Sequence, residues 1–481
     1  MSSTPERTYF THLDWVVTVD AHNTVLRDAT MIVSDDRIIA IGAHDDMLER
    51  HPMTAHDTVR NGRSFGLSPG FVDSHVHLSE TLARGVFPDN LSTRAWVFHW
   101  AKPFYAHVGE DDERVSVSLG IAEMLRSGTT CFLDMGAQND PGITARAAAA
   151  MGIRGIVGRH AADRPPRETP RGWSQAMVNH HFFGDHVEAL DVLGEAVRTW
   201  NGFAEGRIRC WVNIEGKEPC SLELHVGARA LAEDLGVGST YHLASSVQEA
   251  EVSMHKYGRW PISRIGDHGG LGPNLVLAHA VAVADDEVGL LARTGTKVAF
   301  CPYSSMKLGK GATSPVGRYP EMLAAGVTVG LGTDGVAASG NMNLMRQISL
   351  VAGLFKDARL DTSLIGAQQA LRMATIDGAR ALNWDNEIGS IEAGKKADFV
   401  LWDLNHPDWV PFDDPVLAMV WSASSASISQ TWVDGVPVFA DGLVSAIDEQ
   451  TLRAEARDRA RSIVARAGLG SDTPITTRLY D

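Results

Sequence analysis

Four histidines and one aspartate stand out because each lies at the end of a short apolar run. His75 and His77 are separated by one residue, Val76, on a segment predicted to be extended. Side chains alternate along a strand, so both imidazoles point to the same side. His242 and His279 end two further apolar runs, and Asp334 follows another between glycines. Imidazole and carboxylate groups bind divalent transition metals, so this set predicts one metal site.

The chemistry predicted for such a site is hydrolysis. A divalent ion with an open position lowers the pKa of bound water to near neutrality, and Asp334 would take that water's proton as general base. His279 would either bind the metal or polarise the carbonyl or ring nitrogen of the substrate. Taken singly, each histidine could be a hydrogen-bonded residue at a strand end, and Asp334 could cap the next helix. Their common position at strand ends favours the metal site.

The elements that must position these residues lie in residues 68–385. Short apolar strands alternate there with stretches of helical periodicity, as in residues 113–127 and 222–235. This alternation predicts an α/β fold, a (β/α)₈ TIM-type barrel, whose active site lies at the carboxyl ends of the strands. A doubly wound open sheet is the structural alternative, and the absence of a glycine-rich GxGxxG segment after an early strand weakens it.

Both ends of the chain read as β-structure. Residues 1–67 contain β-branched runs and a polar turn, and residues 386–448 contain an Asp-Gly turn between two strand-like pieces. We expect the two ends to form one small composite β-sandwich. Residues 449–481 are predicted to form a C-terminal surface helix and a tail.

Composition excludes several classes of protein. The formal net charge of −16 and the pI of about 5.6 argue against nucleic acid as a partner. The cysteines at 131, 210, 220 and 301 form no CxxC pair, so neither a disulfide framework nor a zinc ribbon is expected. No apolar run is long enough to span a membrane, and the N-terminus has no signal-peptide pattern. The chain is predicted to be cytoplasmic, with no membrane partner and a small-molecule substrate.

Residues 96–105 are unusually aromatic. A loop of this kind between the first two barrel strands could place Trp100 in the wall of a pocket for a planar or apolar molecule. Ordinary core packing or a subunit interface would explain the same residues.

The motifs together resemble the amidohydrolase superfamily, and within it the group of triazine hydrolases and cytosine- and guanine-type deaminases. Phenylurea and thiocarbamate hydrolases of the superfamily are about equally similar. The resemblance extends over nearly the whole chain. It is carried by PGFVDSHVH at 69–77, His242, LAH at 277–279, GTD at 332–334, MATIDGARAL at 373–382 and EIGSIEAGKKAD at 387–398.

The resemblance implies one divalent ion per subunit, bound by His75, His77, His242 and Asp334. It implies that His279 contacts the attacking water or the leaving group. Zinc is the usual metal of the family, with iron, cobalt and manganese as alternatives. Family analogy also implies a homo-oligomer.

One position departs from the family pattern. The ring deaminases carry a glutamate three residues after the histidine of the fifth strand, where this chain has Ser245. A serine hydroxyl does not act as a carboxylic acid near neutral pH, so ring deamination is in doubt. Glu80 and Glu215 are candidates to replace that acid. Alternatively, either carboxylate could support a ligand from behind or lie on the surface. Lys217 is similar in position to the carbamylated lysine of two-metal relatives, although its neighbours match that pattern poorly.

Three functions compete. The first is cleavage of an amide, urea or carbamate C–N bond in a small, fairly apolar molecule by metal-bound hydroxide. The second is an aminohydrolase or dechlorinase that acts on an N-heterocycle such as a triazine, purine or pyrimidine. The third is a non-catalytic binding or scaffold protein of the same fold, which the presence of all the ligand positions disfavours. Glu80, Trp100, Glu215, Ser245 and His279 are the predicted substrate-binding residues.

Overall fold

In the computed structural model, which describes residues 6–469, strands from both ends of the chain meet in one sheet. The predicted tail beyond residue 469 lies outside the described residues. The strands that precede the barrel are β1 (Arg7–Val17), β2 (Val25–Ser34), β3 (Arg37–Ala43), β4 (Thr58–Asn61) and β5 (Phe65–Pro69).

Strand–helix alternation fills the middle of the chain. The strand segments there are β6 (Phe71–His77), β7 (Thr129–Asp134), β8 (Arg154–Val157), β9 (Ile208–Cys210), β10 (Val212–Gly216), β11 (Ser239–Leu243), β12 (Leu275–His279), β13 (Lys297–Phe300), β14 (Val329–Leu331) and β15 (Asp334–Gly335). The last strands are β16 (Phe399–Asp403), β17 (Ile428–Val433), β18 (Val436–Ala440) and β19 (Leu443–Val444).

Most of the helices connect the barrel strands, and the first and the last two lie in the segments before and after the barrel. They are α1 (His44–Arg50), α2 (Thr93–Trp96), α3 (Lys102–Tyr105), α4 (Glu110–Arg126), α5 (Pro141–Met151), α6 (Gln175–His181), α7 (His186–Trp200), α8 (Leu222–Asp234), α9 (Val247–Tyr257), α10 (Pro261–Gly266), α11 (Asp285–Thr294), α12 (Pro302–Lys307), α13 (Tyr319–Ala324), α14 (Val336–Ser339), α15 (Leu344–Arg359), α16 (Ala367–Met373), α17 (Ile376–Ala381), α18 (Pro415–Trp421) and α19 (Glu449–Arg466). Short 3₁₀ turns occupy Leu78–Ala83, Pro407–Trp409 and Ser425–Ser427, and a π-helical turn occupies Val97–Ala101.

Two parallel sheets join into one closed barrel because two of the barrel strands are divided between the sheets. Within the described chain, one parallel sheet has the order β15-β6-β7-β8-β9 and the other has the order β10-β11-β12-β13-β14. One residue separates β9 from β10, and two residues separate β14 from β15. The fourth and eighth strands therefore each pair with both sheets. The predicted α/β fold with a TIM-type barrel is confirmed, and the strand order excludes the doubly wound alternative.

The nine strands that the described ends contribute follow the order β19-β18-β17-β16-β5-β1-β2-β3, with β4 against β1. Their apolar interior joins the two ends of the chain, since the ring of Phe10 lies 5.2 Å from those of Phe399 and Trp432. Strands from the two ends therefore share one sheet. The domain boundaries at residues 67 and 385 and the term sandwich stay predictions.

A buried ion-pair cluster connects this sheet to the barrel. Arg154 on β8 donates from Nε to Asp398 at 2.9 Å and also contacts Asp434, which lies in the turn between β17 and β18. The side chains of Arg154 and Asp398 are 1% and 2% exposed. Burial at this level makes the pair sensitive to the loss of either partner.

Among the described residues, no helix is long and apolar enough to cross a membrane.

Candidate metal centre and active site

The predicted histidines and aspartate converge at the carboxyl ends of the barrel strands. The Nε2 atoms of His77 and His242 lie 3.2 Å apart. The Nε2 atoms of His75 and His77 are each 3.5 Å from Asp334 Oδ1, and that of His279 is 3.7 Å from Asp334 Oδ2. These distances fit ligands that surround a common centre, since metal–ligand bonds of about 2.0–2.2 Å place ligand atoms roughly 3–3.5 Å apart.

Strand pairing brings these residues together. β6 lies beside β15, so the strand with His75 and His77 adjoins the segment that begins at Asp334. β11 and β12 pair in parallel, which sets His242 close to His279. The close approach of the eighth strand to the first requires Gly332, because a Cβ there would lie 2.9 Å from the carbonyl oxygen and Cβ of His75.

Asp73 fixes the eighth strand relative to the first. Its carboxylate accepts hydrogen bonds from the backbone N–H of Thr333 at 3.0 Å and from the Thr333 hydroxyl at 2.6 Å. Asp334 follows directly, and its φ of 61° lies in the left-handed region that is unfavourable for a residue with a side chain. His279 shares this strain with a φ of 77°. Backbone strain of this kind concentrates at functional sites.

The imidazoles of His77 and His242 are held neutral. Burial, and then the charge of His75, lowers the pKa of His77 to about 3. Burial and the positive charge of Lys217 lower the pKa of His242 well below its usual value. The Nδ1–H of His242 donates to the carbonyl oxygen of Glu215 at 2.7 Å, so its Nε2 carries the lone pair that faces the cluster.

Asp334 is ionised in this environment. Burial acts to raise the pKa of its carboxyl, but the charge of Lys310 and contacts with His75 and His279 outweigh burial, and the pKa falls well below the ordinary value. An ionised carboxylate among neutral imidazoles is a donor set for a divalent cation.

Unpartnered ring nitrogens also support the fit of this cluster to a divalent cation. Both nitrogens of His75 and Nδ1 of His279 are buried and have no hydrogen-bond partner among the described residues. Buried polar atoms without partners are rare and costly unless a ligand satisfies them. His75, His77 and His242 place one nitrogen each within 4.8 Å of one another, as do His75, His279 and Asp334 with their donor atoms. The residues present therefore fit a divalent metal ion.

A cavity of about 530 Å³ is lined by Leu243, the residue that follows His242 in the chain. Glu215, whose carbonyl accepts from His242, lines it together with Lys217 and Leu243. Val97 and Phe98 from the aromatic segment form part of its wall. The volume is in the range of sites that hold a small molecule.

Among the predicted substrate-binding residues, Glu215 lines this cavity, whereas Ser245 and Trp100 do not. Glu215 lines the cavity and forms an ion pair with Lys102 at 2.7 Å. Ser245 is fully buried, and its hydroxyl has no hydrogen-bond partner within the described chain. Trp100 is 8% exposed and belongs to an apolar cluster that includes Phe87, with ring centroids 6.0 Å apart. Its neighbours Val97 and Phe98 line the cavity instead, and its role stays a prediction.

Glu80 lies next to the cluster on the 3₁₀ turn after β6. Its carboxyl accepts a hydrogen bond from the Tyr105 hydroxyl and packs so closely against Gly335 that a Cβ there would overlap Oε1. Burial, and then the charge of Asp334, raises the pKa of Glu80 to about 8, so the group carries a proton at neutral pH.

Lys310 is a site residue that the sequence analysis missed. Its Nζ lies 3.2 Å from His279 Nε2 and 3.6 Å from Asp334 Oδ2, and the side chain is 4% exposed. In the sequence it stands between two glycines in a polar loop, a pattern typical of a surface turn. Lys310 is close to His279 because distant segments pack together, which the local sequence does not reveal.

Comparison with known proteins decides the family. The model of the amidohydrolase family matches residues 67–438. The chain belongs to the amidohydrolase family. The resemblance stated from the motifs is confirmed, and the protein is a metal-dependent hydrolase that acts on carbon–nitrogen bonds.

Curated relatives match along nearly their whole length. The chain is 33% identical over 453 residues to the 5-methylthioadenosine/S-adenosylhomocysteine deaminase of Nitratidesulfovibrio vulgaris, covering 94% of this chain and 97% of that protein. It is 31% identical over 452 residues to the 5'-deoxyadenosine deaminase of Methanosarcina mazei, covering 94% of this chain and 97% of that protein.

Solved structures agree with the fold. An adenosine deaminase from Xanthomonas campestris with bound zinc matches with a TM-score of 0.84 and 28% identity, covering 96% of this chain and 100% of that one. A triazine hydrolase from Arthrobacter aurescens matches with a TM-score of 0.83 at 23% identity, covering 95% of this chain and 99% of that one, and this likeness concerns the fold alone.

Proposed function

We propose that the protein is an aminohydrolase that holds one zinc ion and removes the amino group from a purine-type heterocycle of the adenine nucleoside class. The observation that carries the proposal is the convergence of His75, His77, His242 and Asp334 in a chain whose curated relatives are named as deaminases of such compounds. The sequence analysis ranked amide, urea or carbamate cleavage first. The names of the relatives support its alternative better, and the ranking is corrected accordingly.

The proposed ligands are His75, His77, His242 and Asp334. When bound there, a divalent ion supplies Lewis-acid activation of water at neutral pH. The second oxygen of Asp334, ionised and 3.7 Å from His279, is placed to accept the proton of the attacking water and later to return it to the leaving nitrogen. In net terms water adds its oxygen to the amino-bearing carbon, the carbon–amino bond breaks, and ammonia leaves.

His279 is proposed to orient the water or the leaving group as a neutral imidazole. Burial, and then the positive charge of Lys310, lowers the pKa of His279 well below its usual value. A neutral ring near Asp334 can donate or accept one hydrogen bond without competing for the proton that Asp334 takes. This assignment leaves the metal to the four residues named above.

The acid that protonates the ring nitrogen in related deaminases has no direct counterpart, because Ser245 stands in its place. The carboxylate of Glu215 is already engaged in an ion pair with Lys102. Glu80 carries a proton, yet its carboxyl is engaged by the Tyr105 hydroxyl and packed against Gly335. Ser245 is also the observation that favours the second candidate, hydrolysis of an amide or urea, which needs no ring protonation.

Product analysis separates the two functions. Protein loaded with zinc is incubated with 5'-methylthioadenosine, adenosine, an aryl urea and an aryl amide, and ammonia and substituted amines are quantified. We expect ammonia from an adenine nucleoside, with one equivalent of deaminated product. Release of a substituted amine from the urea or amide, with no ammonia from either nucleoside, would overturn the proposal in favour of the second candidate.

Asp334→Asn, assayed in parallel, identifies activity from a contaminating deaminase. Ammonia release by this variant at the wild-type rate comes from a contaminant if a mock purification from cells without the gene releases it equally. Treatment with a chelator should abolish the wild-type reaction, and added zinc should restore it.

A further inference from the structure

Lys310 is a buried cation whose contacts all lie at the reacting end of the site. Its Nζ is 2.9 Å from Ser304 Oγ, 3.2 Å from His279 Nε2 and 3.6 Å from Asp334 Oδ2. An ammonium is expensive to bury unless it is paired and hydrogen-bonded. Asp334 and Ser304 meet these requirements.

The backbone holds this lysine beside the segment that contains Ser245. The N–H of Lys310 donates to the carbonyl of Ser305 at 2.9 Å, and the carbonyl of Lys310 accepts from the N–H of Val247 at 3.1 Å. Val247 is two residues after Ser245 and begins α9. The backbone of the Lys310 loop is therefore bonded to the segment in which the ring deaminases carry their acid.

A count of donors leaves one proton of the ammonium for the substrate. A lysine ammonium has three donors and no acceptor. Ser304 Oγ accepts one, and His279 Nε2 lies within hydrogen-bond distance of the ammonium at 3.2 Å. The third donor has Asp334 Oδ2 as its neighbour at 3.6 Å, which is longer than an ordinary N–H···O hydrogen bond and leaves this donor weakly engaged.

We propose that Lys310 is a further catalytic residue, whose ammonium donates a hydrogen bond to the ring nitrogen that gains negative charge during deamination. This inference rests on the proposed function. Water forms a bond from its oxygen to the reacting carbon and gives one proton to Asp334, and the electron pair of the carbon–nitrogen double bond moves to the ring nitrogen, where Lys310 stabilises it. The pair then returns, the carbon–amino bond breaks, and the amino group takes the proton from Asp334 and leaves as ammonia.

Lys310 keeps its own proton throughout this sequence. Its effect is electrostatic, and a fixed positive donor in a site that excludes water is worth more than the same donor in solution. In this way the charge of Lys310 compensates for the carboxylic acid that Ser245 does not provide.

The test compares Lys310→Met with Lys307→Met, a matched control three residues earlier on α12, whose amine donates to the carbonyl of Ala337. We expect Lys310→Met to lower kcat with 5'-methylthioadenosine about 100- to 1000-fold, as for other charge-stabilising donors. KM and zinc content should change less than about threefold, because the donor acts on the transition state. Lys307→Met should stay within about twofold of the wild type in every measurement.

Calorimetry gives a readout that does not depend on turnover. Lys310→Met should weaken binding of a purine whose reacting carbon is tetrahedral and bears a hydroxyl by about the factor lost in kcat/KM, and binding of the deaminated product by less than about threefold. Equal affinity of wild type and variant for the tetrahedral compound, with unchanged kcat, would overturn the inference.

Ser304→Ala covers the case in which Lys310→Met does not fold or does not retain zinc. It removes only the hydroxyl that orients the amine, and we expect kcat to fall about tenfold with normal zinc content. Wild-type kcat in this variant would overturn the inference. A wild type that releases no ammonia from any aminoheterocycle would overturn the proposed function and this inference with it, whereas an active wild type with an equally active Lys310→Met overturns the inference alone.

Discussion

The Nε2 atoms of His77 and His242 face each other at 3.2 Å across the mouth of the barrel. The Nδ1–H of His242 is already donated to the carbonyl of Glu215, so its Nε2 presents a lone pair. Burial keeps both rings neutral, with the pKa of His77 at about 3. A shared cation satisfies the facing nitrogens, which is the physical basis of the proposed metal site.

Replacement of His242 should therefore lower the metal content of the protein before it affects the fold. In His242→Ala we expect zinc per subunit to fall from about one to below about 0.2 after dialysis against a competing chelator, because one of four ligands is gone. Metal is quantified by plasma emission spectrometry. His255→Ala, an exposed histidine on α9, is the matched control and should keep its zinc. Full occupancy in His242→Ala would remove this residue from the ligand set.

Asp334→Asn should separate metal binding from turnover. The amide oxygen can still approach a cation, but it does not take up the proton of water, so kcat/KM should fall about 1000-fold or more while a large share of the zinc remains. Steady-state kinetics and metal analysis of the same preparation check both parts. Activity within tenfold of the wild type would show that another group is the base.

The hydroxyl of Ser245 should be dispensable. It is buried without a hydrogen-bond partner in the described structure, so Ser245→Ala removes an unsatisfied group and should leave kcat/KM within about threefold. Ser246→Ala is the contrasting variant, since the Ser246 hydroxyl accepts from the N–H of Glu249 and caps α9. That variant should lose about 1 kcal/mol in urea denaturation. A loss of activity beyond about a hundredfold in Ser245→Ala would assign the hydroxyl a direct catalytic role.

Arg154→Met tests the connection between the barrel and the sheet of the chain ends. The substitution leaves Asp398 and Asp434 without their buried cation, and we expect the free energy of unfolding to fall by about 3–5 kcal/mol. Arg50→Met removes an exposed pair with Asp46 and should cost less than about 1 kcal/mol. Equal losses in the two variants by chemical denaturation would show that the cluster contributes little to stability.

The sequence was sufficient to predict the barrel and the convergence of the four histidines with Asp334. Each of these residues lies at the end of an apolar strand, and parallel barrel strands bring their carboxyl ends to one face. His75 and His77 required only the alternation of side chains along a strand. These predictions use local sequence signals and one rule of barrel topology. Neither requires any knowledge of side-chain packing.

The surroundings of the cluster were harder to predict because they depend on packing between distant segments. Lys310 reads as part of a polar turn, and only the fold brings its amine to within 3.2 Å of His279. The aromatic segment also shows the limit, since Trp100 lies in an apolar cluster while Val97 and Phe98 line the cavity. Periodicity does not determine which face of so short and irregular a helix turns toward a cavity.

Anomalous diffraction at the zinc edge, recorded from crystals of the zinc-loaded protein, tests the central claim most directly. The account predicts a single peak per subunit at about 2.0–2.2 Å from one nitrogen of each of His75, His77 and His242 and from an oxygen of Asp334. A peak elsewhere in the barrel, or a second peak of equal height bridged by Lys217, would contradict it.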